Sequence, residues 1–237
     1  LFGRAVLLVL IQAGGLGFMI FASLALQLLG QRISLRTRLL MRESMNTDSL
    51  SGLGFLARRN AVMVLVIELC GALLLSIRMI PRYGTVHGLG HAVFLSVSAF
   101  CNAGFDCFGY AQSLTRMTKD PLMLLTISAL VILRGIGFPV IAEMTGKPFK
   151  WKAWSLHTRV VLIASVSLLG VGTLFYLLVE GDNPRTLGNM GMAERLLNAF
   201  FQSVTMRTAG FNSVDLGSMR EASKLFSCIC KLKEYIL

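Results

Sequence analysis

The feature that most constrains the fold is a long apolar stretch near the start of the chain, Ala5–Leu29, which contains no charged residue. A helix needs about 20 apolar residues to cross the hydrocarbon core of a bilayer. Three more stretches have this character, although two of them carry charges: Ala61–Ile77 with Glu68, Pro121–Met144 with Arg134, and Val160–Val179. The pattern predicts four spanning helices, and hence an all-α integral membrane protein.

Composition and charge placement agree with this class. Of 237 residues, 54% are hydrophobic and only 15% charged, and the mean hydropathy is +0.68. The net charge of +11 does not indicate nucleic-acid binding, because the Lys and Arg residues stand between apolar runs instead of forming one basic soluble face. They crowd the connections 31–59 and 145–158, so the positive-inside rule places both in the cytoplasm.

Two shorter apolar segments end in the same motif. The sequence “VFLSVSAFCNAGFD” from Val93 matches “AFFQSVTMRTAGFN” from Ala199 in register, and “GGLGFMI” near Gly14 matches “RGIGFPV” from Arg134. The segments His91–Phe105 and Leu196–Phe211 are too short to cross the membrane. We therefore predict a repeating unit of a span, a re-entrant loop and a span.

This unit divides the chain into six parts. Residues 1–30 are the last span of unit 1, and residues 60–144 are the whole of unit 2. Residues 159–222 are the first span and loop of unit 3. The remaining parts are the cytoplasmic connections 31–59 and 145–158, and a tail, 223–237, that is a poor span and suggests truncation.

Each re-entrant loop has a chemical use. Irregular backbone at membrane depth is tolerated where it lines water or is buried in protein. A short helix followed by a glycine-containing stretch directs carbonyl oxygens at one axis, where they replace the water shell of an alkali cation. A tight turn between helices is the simpler alternative, but two copies in register favour ion coordination.

The motifs “IQAGGLGFM”, “NAGFDCFG” and “SVTMRTAGFNSVDL” resemble the Ktr-type membrane subunit of bacterial potassium uptake systems, in the Trk/Ktr/HKT superfamily, from Leu1 to about Ser223. This resemblance implies a channel-like fold of four span, pore-loop, span units in the cell membrane. It also implies transport of potassium, alone or with sodium, by a homodimer on a cytosolic ring of nucleotide-binding regulatory subunits. By position, the selectivity filter would comprise Asn102, Ala103 and Gly104 in unit 2, and Thr208, Ala209 and Gly210 in unit 3.

Five further residues are expected to support the pore. Phe105 and Phe211 would wedge the loops against neighbouring helices, and Arg207 would brace the unit 3 loop through carbonyl hydrogen bonds. Glu68 and Arg134 lie at similar depths in antiparallel spans of one unit, so we predict that they form an ion pair, because unpaired charges inside a bilayer are costly.

Other functions fit the sequence less well. No Ser-His-Asp set or phosphate loop is present, so we expect no enzyme and no organic cofactor. The cysteines do not form a zinc pattern, and His87 and His91 lack a third ligand. A tetrameric cation channel subunit would need only one unit per chain. A non-transporting truncated membrane protein stays open, because only two of four filter segments are recognised, so we expect no uptake by this chain alone.

Overall fold

The computed structural model describes residues 2–15, 53–106, 114–146, 151–206 and 209–234, and within these ranges the regular structure is helical throughout. The helices are, in chain order, α1 (Phe2–Gly15), α2 (Leu53–Tyr83), α3 (Thr85–Phe100), α4 (Pro121–Ile136), α5 (Phe138–Gly146), α6 (Leu156–Glu180), α7 (Met192–Thr205) and α8 (Glu221–Glu234). Short 3₁₀ turns occur at Thr115–Met117, Trp151–Ala153 and Leu216–Ser218.

The apolar helices have the lengths that a membrane requires. Ala57–Tyr83 within α2 and Leu156–Glu180, which is α6, each have a mean hydropathy of 2.2 and are long enough to cross a bilayer. The bent pair α4–α5 is a third span if it is counted as one element. Three of the four predicted spans therefore match apolar helices, and the fourth, Ala5–Leu29, is described only as far as Gly15.

The two predicted re-entrant segments begin with helices that pack on the preceding span. Helix α3 folds back on α2 after Gly84, whose φ of +78° is a conformation open to glycine, and α7 packs on α6. Both α3 and α7 also contact α4. The core where they meet contains Leu95, Phe100 and Phe201, all nearly inaccessible to solvent.

A recurring contact joins span and short helix in both units. The Ser96 hydroxyl donates to the Glu68 carbonyl at 2.6 Å, and the Ser203 hydroxyl donates to the Leu169 carbonyl at 3.1 Å. Three residues after each carbonyl a glycine faces the same serine: Gly71 in α2 and Gly172 in α6. The packing of span and short helix is thus repeated, although Ser203 stands one position later than Ser96 in the sequence repeat.

We expect Gly172→Ala to destabilise the folded protein by about 1–3 kcal/mol, the usual effect of overpacking, because a Cβ there would overlap Ser203. Gly170→Ala, two residues away in the same helix, is the matched control. A Cβ at Gly170 would meet no atom within 4 Å, so this change should stabilise by about 0.5–1 kcal/mol. Unfolding in detergent, followed by circular dichroism, compares the two, and equal stabilities would contradict the packing.

The predicted span from Pro121 to Met144 is broken near its end. Helix α4 ends at Ile136, and α5 begins at Phe138 in a direction that differs by 98°. Gly137 between them has a φ of +91°, which an L side chain rarely adopts, and Pro139 follows in the first turn of α5. Glycine at the break and proline just after it explain the bend.

The bent helix α5 is tied to the start of the next span. The Glu143 carboxylate accepts hydrogen bonds from the Ser155 backbone N–H at 2.8 Å and the Ser155 hydroxyl at 2.7 Å, and also from the Thr158 hydroxyl. Ser155 is the N-cap of α6. The connection between units 2 and 3 is therefore fixed at both sides of residues 147–150, which lie outside the described ranges.

Polar contacts also fix the opposite ends of the helices. Asp120 is the N-cap of α4, and its two carboxylate oxygens each lie 3.4 Å from an arginine at the end of α2: Oδ1 from Arg78 Nε and Oδ2 from Arg82 Nη2. Helix α8 occupies most of the stretch predicted as an aberrant tail and packs on α6, where the Phe226 and Phe175 rings stack with centroids 4.0 Å apart. A further hydrogen bond of 2.7 Å joins Tyr176 in α6 to Ser227.

Candidate functional site

The first Ala-Gly-Phe loop, residues 101–106 and called loop A below, leaves α3 through a distorted turn. The Ala103 N–H donates to the Ser98 carbonyl at 2.9 Å, so the helical hydrogen bonding continues for one wider turn. Asn102 and Gly104 then take positive φ values of 54° and 68°. Left-handed backbone at alternate residues reverses the chain over a short distance.

The second Ala-Gly-Phe loop, residues 206–213 and called loop B, leaves α7 with a hydrogen bond of ordinary helical spacing. The Ala209 N–H donates to the Thr205 carbonyl at 3.1 Å, and Gly210 has a φ of 74°. Arg207 and Thr208 lie outside the described residues, so the bracing role of Arg207 and the filter role of Thr208 stay predictions.

Hydroxyl groups brace the same carbonyl in both loops. The Ser98 hydroxyl donates to the Phe105 carbonyl at 2.7 Å, and the Thr205 hydroxyl donates to the Phe211 carbonyl at 2.6 Å. These donors are not aligned in the sequence repeat, where Thr205 stands one position later than Ser98. Alignment of the two sequence repeats therefore could not identify these hydroxyl donors.

The two loops contact each other at their glycines. A Cβ added to Gly104 would overlap the Ala209 carbonyl oxygen and lie 3.0 Å from Gly210 Cα. A Cβ added to Gly210 would lie 3.5 Å from Gly104 Cα, which is an ordinary contact. The backbones therefore approach to a distance that side chains would prevent. The residues first predicted as filter glycines are brought together by the fold.

The phenylalanines of the two motifs differ in environment. Phe211 is fully buried in the core with Leu114 and Phe201. Phe105 is 51% exposed. The wedging role of both residues stays a prediction, with burial that favours it only at Phe211.

Loop B is also fastened to the segment that precedes α4. The Leu114 N–H donates to the Asn212 carbonyl at 3.0 Å, and the Asn198 amide donates to the Thr118 carbonyl at 3.0 Å. A cleft of about 490 Å³ lies beside this junction, and the polar and charged residues in its wall are Thr115, Thr118, Arg185, Thr186, Asn212, Ser213 and Asp215. Loop B thus has a polar space on one side and a packed core on the other.

The predicted ion pair between Glu68 and Arg134 does not form. The Glu68 carboxyl accepts from the Gln12 amide at 3.0 Å, and the Arg134 guanidinium donates to the Gly15 carbonyl at 2.8 Å and lies 5.2 Å from the centre of the Phe138 ring. Depth in antiparallel helices does not fix the direction in which a side chain points. Helix α1 supplies a partner to each charge instead.

Arg134 joins the two Gly-x-Gly-Phe motifs. It occupies in unit 2 the place that Gly14 has in unit 1, and it binds the carbonyl of Gly15 in the unit 1 motif. Gly15 itself lies against loop A, because a Cβ there would be 2.6 Å from Cys101 Cβ. Close helix approach at small residues is the role that the sequence indicates for these glycines.

The described residues contain no group of three or more His, Cys, Asp or Glu that could hold a metal ion. The oxygens that the two loops bring together include backbone carbonyls and the hydroxyls of Ser98 and Thr205. Such ligands suit an alkali cation that has lost part of its water shell.

Comparison with known proteins identifies the family of the chain. Residues 1–231 match the family described as “TrkH: Cation transport protein”, which extends beyond Ser223, where the recognised resemblance stopped. The chain is 41% identical over 228 residues to “Ktr system potassium uptake protein B” of Bacillus subtilis (strain 168), an alignment that covers 96% of this chain and 51% of that protein.

Two other relatives show similar coverage. The protein of the same name from Vibrio alginolyticus is 37% identical over 237 residues, with 97% of this chain and 50% of that protein covered. “Potassium/sodium uptake protein NtpJ” of Enterococcus hirae is 35% identical over 225 residues, with 95% and 49% covered. The chain spans about half the length of these curated relatives. It is an integral membrane protein with an all-α fold, and it belongs to the TrkH family of cation transport proteins.

Proposed function

We propose that this chain forms part of a potassium uptake protein of the cell membrane, in which loops A and B are two segments of one selectivity filter. The observation that carries the proposal is the backbone contact between Gly104 and Gly210, both with positive φ. The proposed ligands of the ion are backbone carbonyls near these glycines, namely those of Asn102, Ala103 and Ala209. Thr208 is included by its position in the motif.

Potassium is the proposed substrate, because two relatives are named as potassium uptake proteins, and sodium is included because a third is named for both ions. The fixed carbonyls support binding and release of an ion without covalent chemistry. We therefore propose a transporter that is not an enzyme and needs no organic cofactor. A homodimer on a cytosolic nucleotide-binding ring remains part of this proposal by family resemblance.

A channel made of four identical subunits is the second candidate, and the fold argues against it. Loops A and B contact each other at Gly104 and Gly210 within one chain. This contact supports a path whose neighbouring segments would come from different units of a single polypeptide. A non-transporting membrane protein is the remaining alternative, and an uptake measurement separates it from the proposal.

Rubidium uptake in bacteria that lack their own potassium uptake systems tests the function. One strain would express this chain, and another a chimera in which this chain replaces the matching 228 residues of the Bacillus subtilis relative. We expect uptake by the chimera and none by the chain alone, since the loops described here supply only part of a ring of ligands. A chimera that reaches the membrane but takes up no more rubidium than cells with an empty vector would contradict the proposal.

A further inference from the structure

Three side chains from different segments meet behind loop A. The Gln12 amide of α1 donates to Glu68 Oε2 at 3.0 Å, and the Cys101 thiol lies 3.6 Å from Glu68 Oε1 and 3.9 Å from Gln12 Oε1. Cys101 directly precedes Asn102, where the left-handed backbone of loop A begins. The cluster thus acts on the residue at the entry to the loop.

The carboxyl group in this cluster is nearly inaccessible, and no salt bridge joins it to a cation of the described residues. Glu68 is 5% exposed, and among the described residues its carboxyl is bound by the neutral Gln12 and Cys101 side chains. An ionisable group inside a spanning helix is costly, and such groups generally mark functional positions. Gln12 and Cys101 supply the two hydrogen bonds that make the position tolerable.

Comparison of the two units shows that packing alone does not require a carboxyl here. The Ser96 hydroxyl binds the Glu68 carbonyl, and Ser203 binds that of Leu169, with a glycine three residues further on in each helix. Leu169 is therefore the counterpart of Glu68. The same helix contact is built in unit 3 with an apolar side chain, so the carboxyl is a particular feature of the unit that carries loop A.

Contacts on the other side limit the movement of Cys101. Cys101 packs directly on Gly15 of α1, because a Cβ there would overlap the Cys101 sulfur and lie 2.6 Å from its Cβ. Glu68 and Gln12 hold the sulfur, and Ser98 holds the Phe105 carbonyl at the far end of the loop. Loop A is thereby fixed at both ends.

We propose that Glu68 is a positioning residue for loop A: with Gln12 it holds Cys101 in place and so sets the geometry of the carbonyls that discriminate between cations. The proposal rests on the proposed function, because discrimination matters only if loop A lines the ion path. Glu68 touches no ion in this role. Removal of the Glu68 carboxyl should let loop A relax. The protein should then discriminate less well between rubidium and sodium, while its maximal rate of uptake is largely preserved.

Transport by the chimera provides the first test. We expect Glu68→Leu to lower the preference for rubidium over sodium by about fivefold to tenfold, in line with the loss of a buried hydrogen bond, with the maximal rate changed less than twofold. Glu68→Gln keeps a hydrogen-bonding oxygen and should retain most of the preference, whereas Cys101→Ala should resemble Glu68→Leu. Glu221→Gln, which alters a carboxyl that is 90% exposed, is the control and should leave both quantities unchanged.

Reactivity of the Cys101 thiol provides a second test that needs no transport. In the chain itself, in detergent, alkylation at Cys101 measured by peptide mass spectrometry should be several times faster in Glu68→Leu than in the unchanged chain and in Glu221→Gln. Faster alkylation with unaltered ion preference would overturn the positioning role and leave the proposed function intact. An unaltered rate of Cys101 alkylation in Glu68→Leu would overturn the positioning role of Glu68, even if the chimera did not transport.

Discussion

Glu180→Leu is expected to lower the free energy of unfolding by about 2–4 kcal/mol, because it leaves several buried donors without an acceptor. The Glu180 carboxylate is fully buried and accepts from the Asn183 amide at 2.7 Å, the Thr186 hydroxyl at 2.7 Å and the Arg220 backbone N–H at 2.8 Å. It therefore connects the end of α6, the following loop and the start of α8.

Two variants make the measurement specific. Glu180→Gln keeps the shape and one oxygen but places an NH₂ group against other donors, so about half of the loss should remain. Glu221→Gln changes a carboxyl that is 90% exposed and should shift stability by less than about 0.5 kcal/mol. Unfolding in detergent at neutral pH provides the comparison. A Glu180→Leu protein as stable as Glu221→Gln would show that the carboxylate does not connect these segments.

The largest functional effect is expected at Gly104. A serine there would need a backbone conformation with a φ of 68° that L residues seldom adopt, and its Cβ would overlap the Ala209 carbonyl of loop B. Backbone must move to relieve this overlap, so both loops should lose their geometry. We expect uptake by the chimera to fall at least about tenfold, as strain and overpacking together exceed 1.4 kcal/mol.

Gly90→Ala is the matched control for this change, since Gly90 lies in α3 and a Cβ there meets no atom within 4 Å. It should leave uptake near that of the unchanged chimera. If the Gly104→Ser protein reached the membrane and took up rubidium as well as Gly90→Ala, the two loops would not be in contact during transport.

The sequence predicted most of the architecture because strong signals determine it. Apolar runs of spanning length and an in-register repeat predicted α2, α6 and the two short helices, and the glycines at 104 and 210 were identified as the loop residues that the fold brings together. Both short helices begin earlier than predicted, at Thr85 and Met192. Helix ends depend on local caps and tertiary contacts, which hydropathy does not report.

Other features depend on direction in space, which the sequence does not determine. Glu68 and Arg134 have matching depths but point to different partners on α1, and the hydroxyls that brace loops A and B occupy unaligned positions. The break at Gly137 did have a signal. In “GIGFP” a glycine and a proline stand close together, a pair that often ends a helix.

The most direct test of the shared filter is the ratio of rubidium uptake to sodium uptake by the Gly210→Ser chimera. A Cβ at Gly210 has room, 3.5 Å from Gly104 Cα, but its φ of 74° is unfavourable for serine, so the protein should reach the membrane with an altered carbonyl geometry. We predict near-normal amounts of protein and a clear fall in the preference for rubidium over sodium. Unchanged preference in both Gly104→Ser and Gly210→Ser, with the proteins present in the membrane, would contradict the assignment of loops A and B to one selectivity filter.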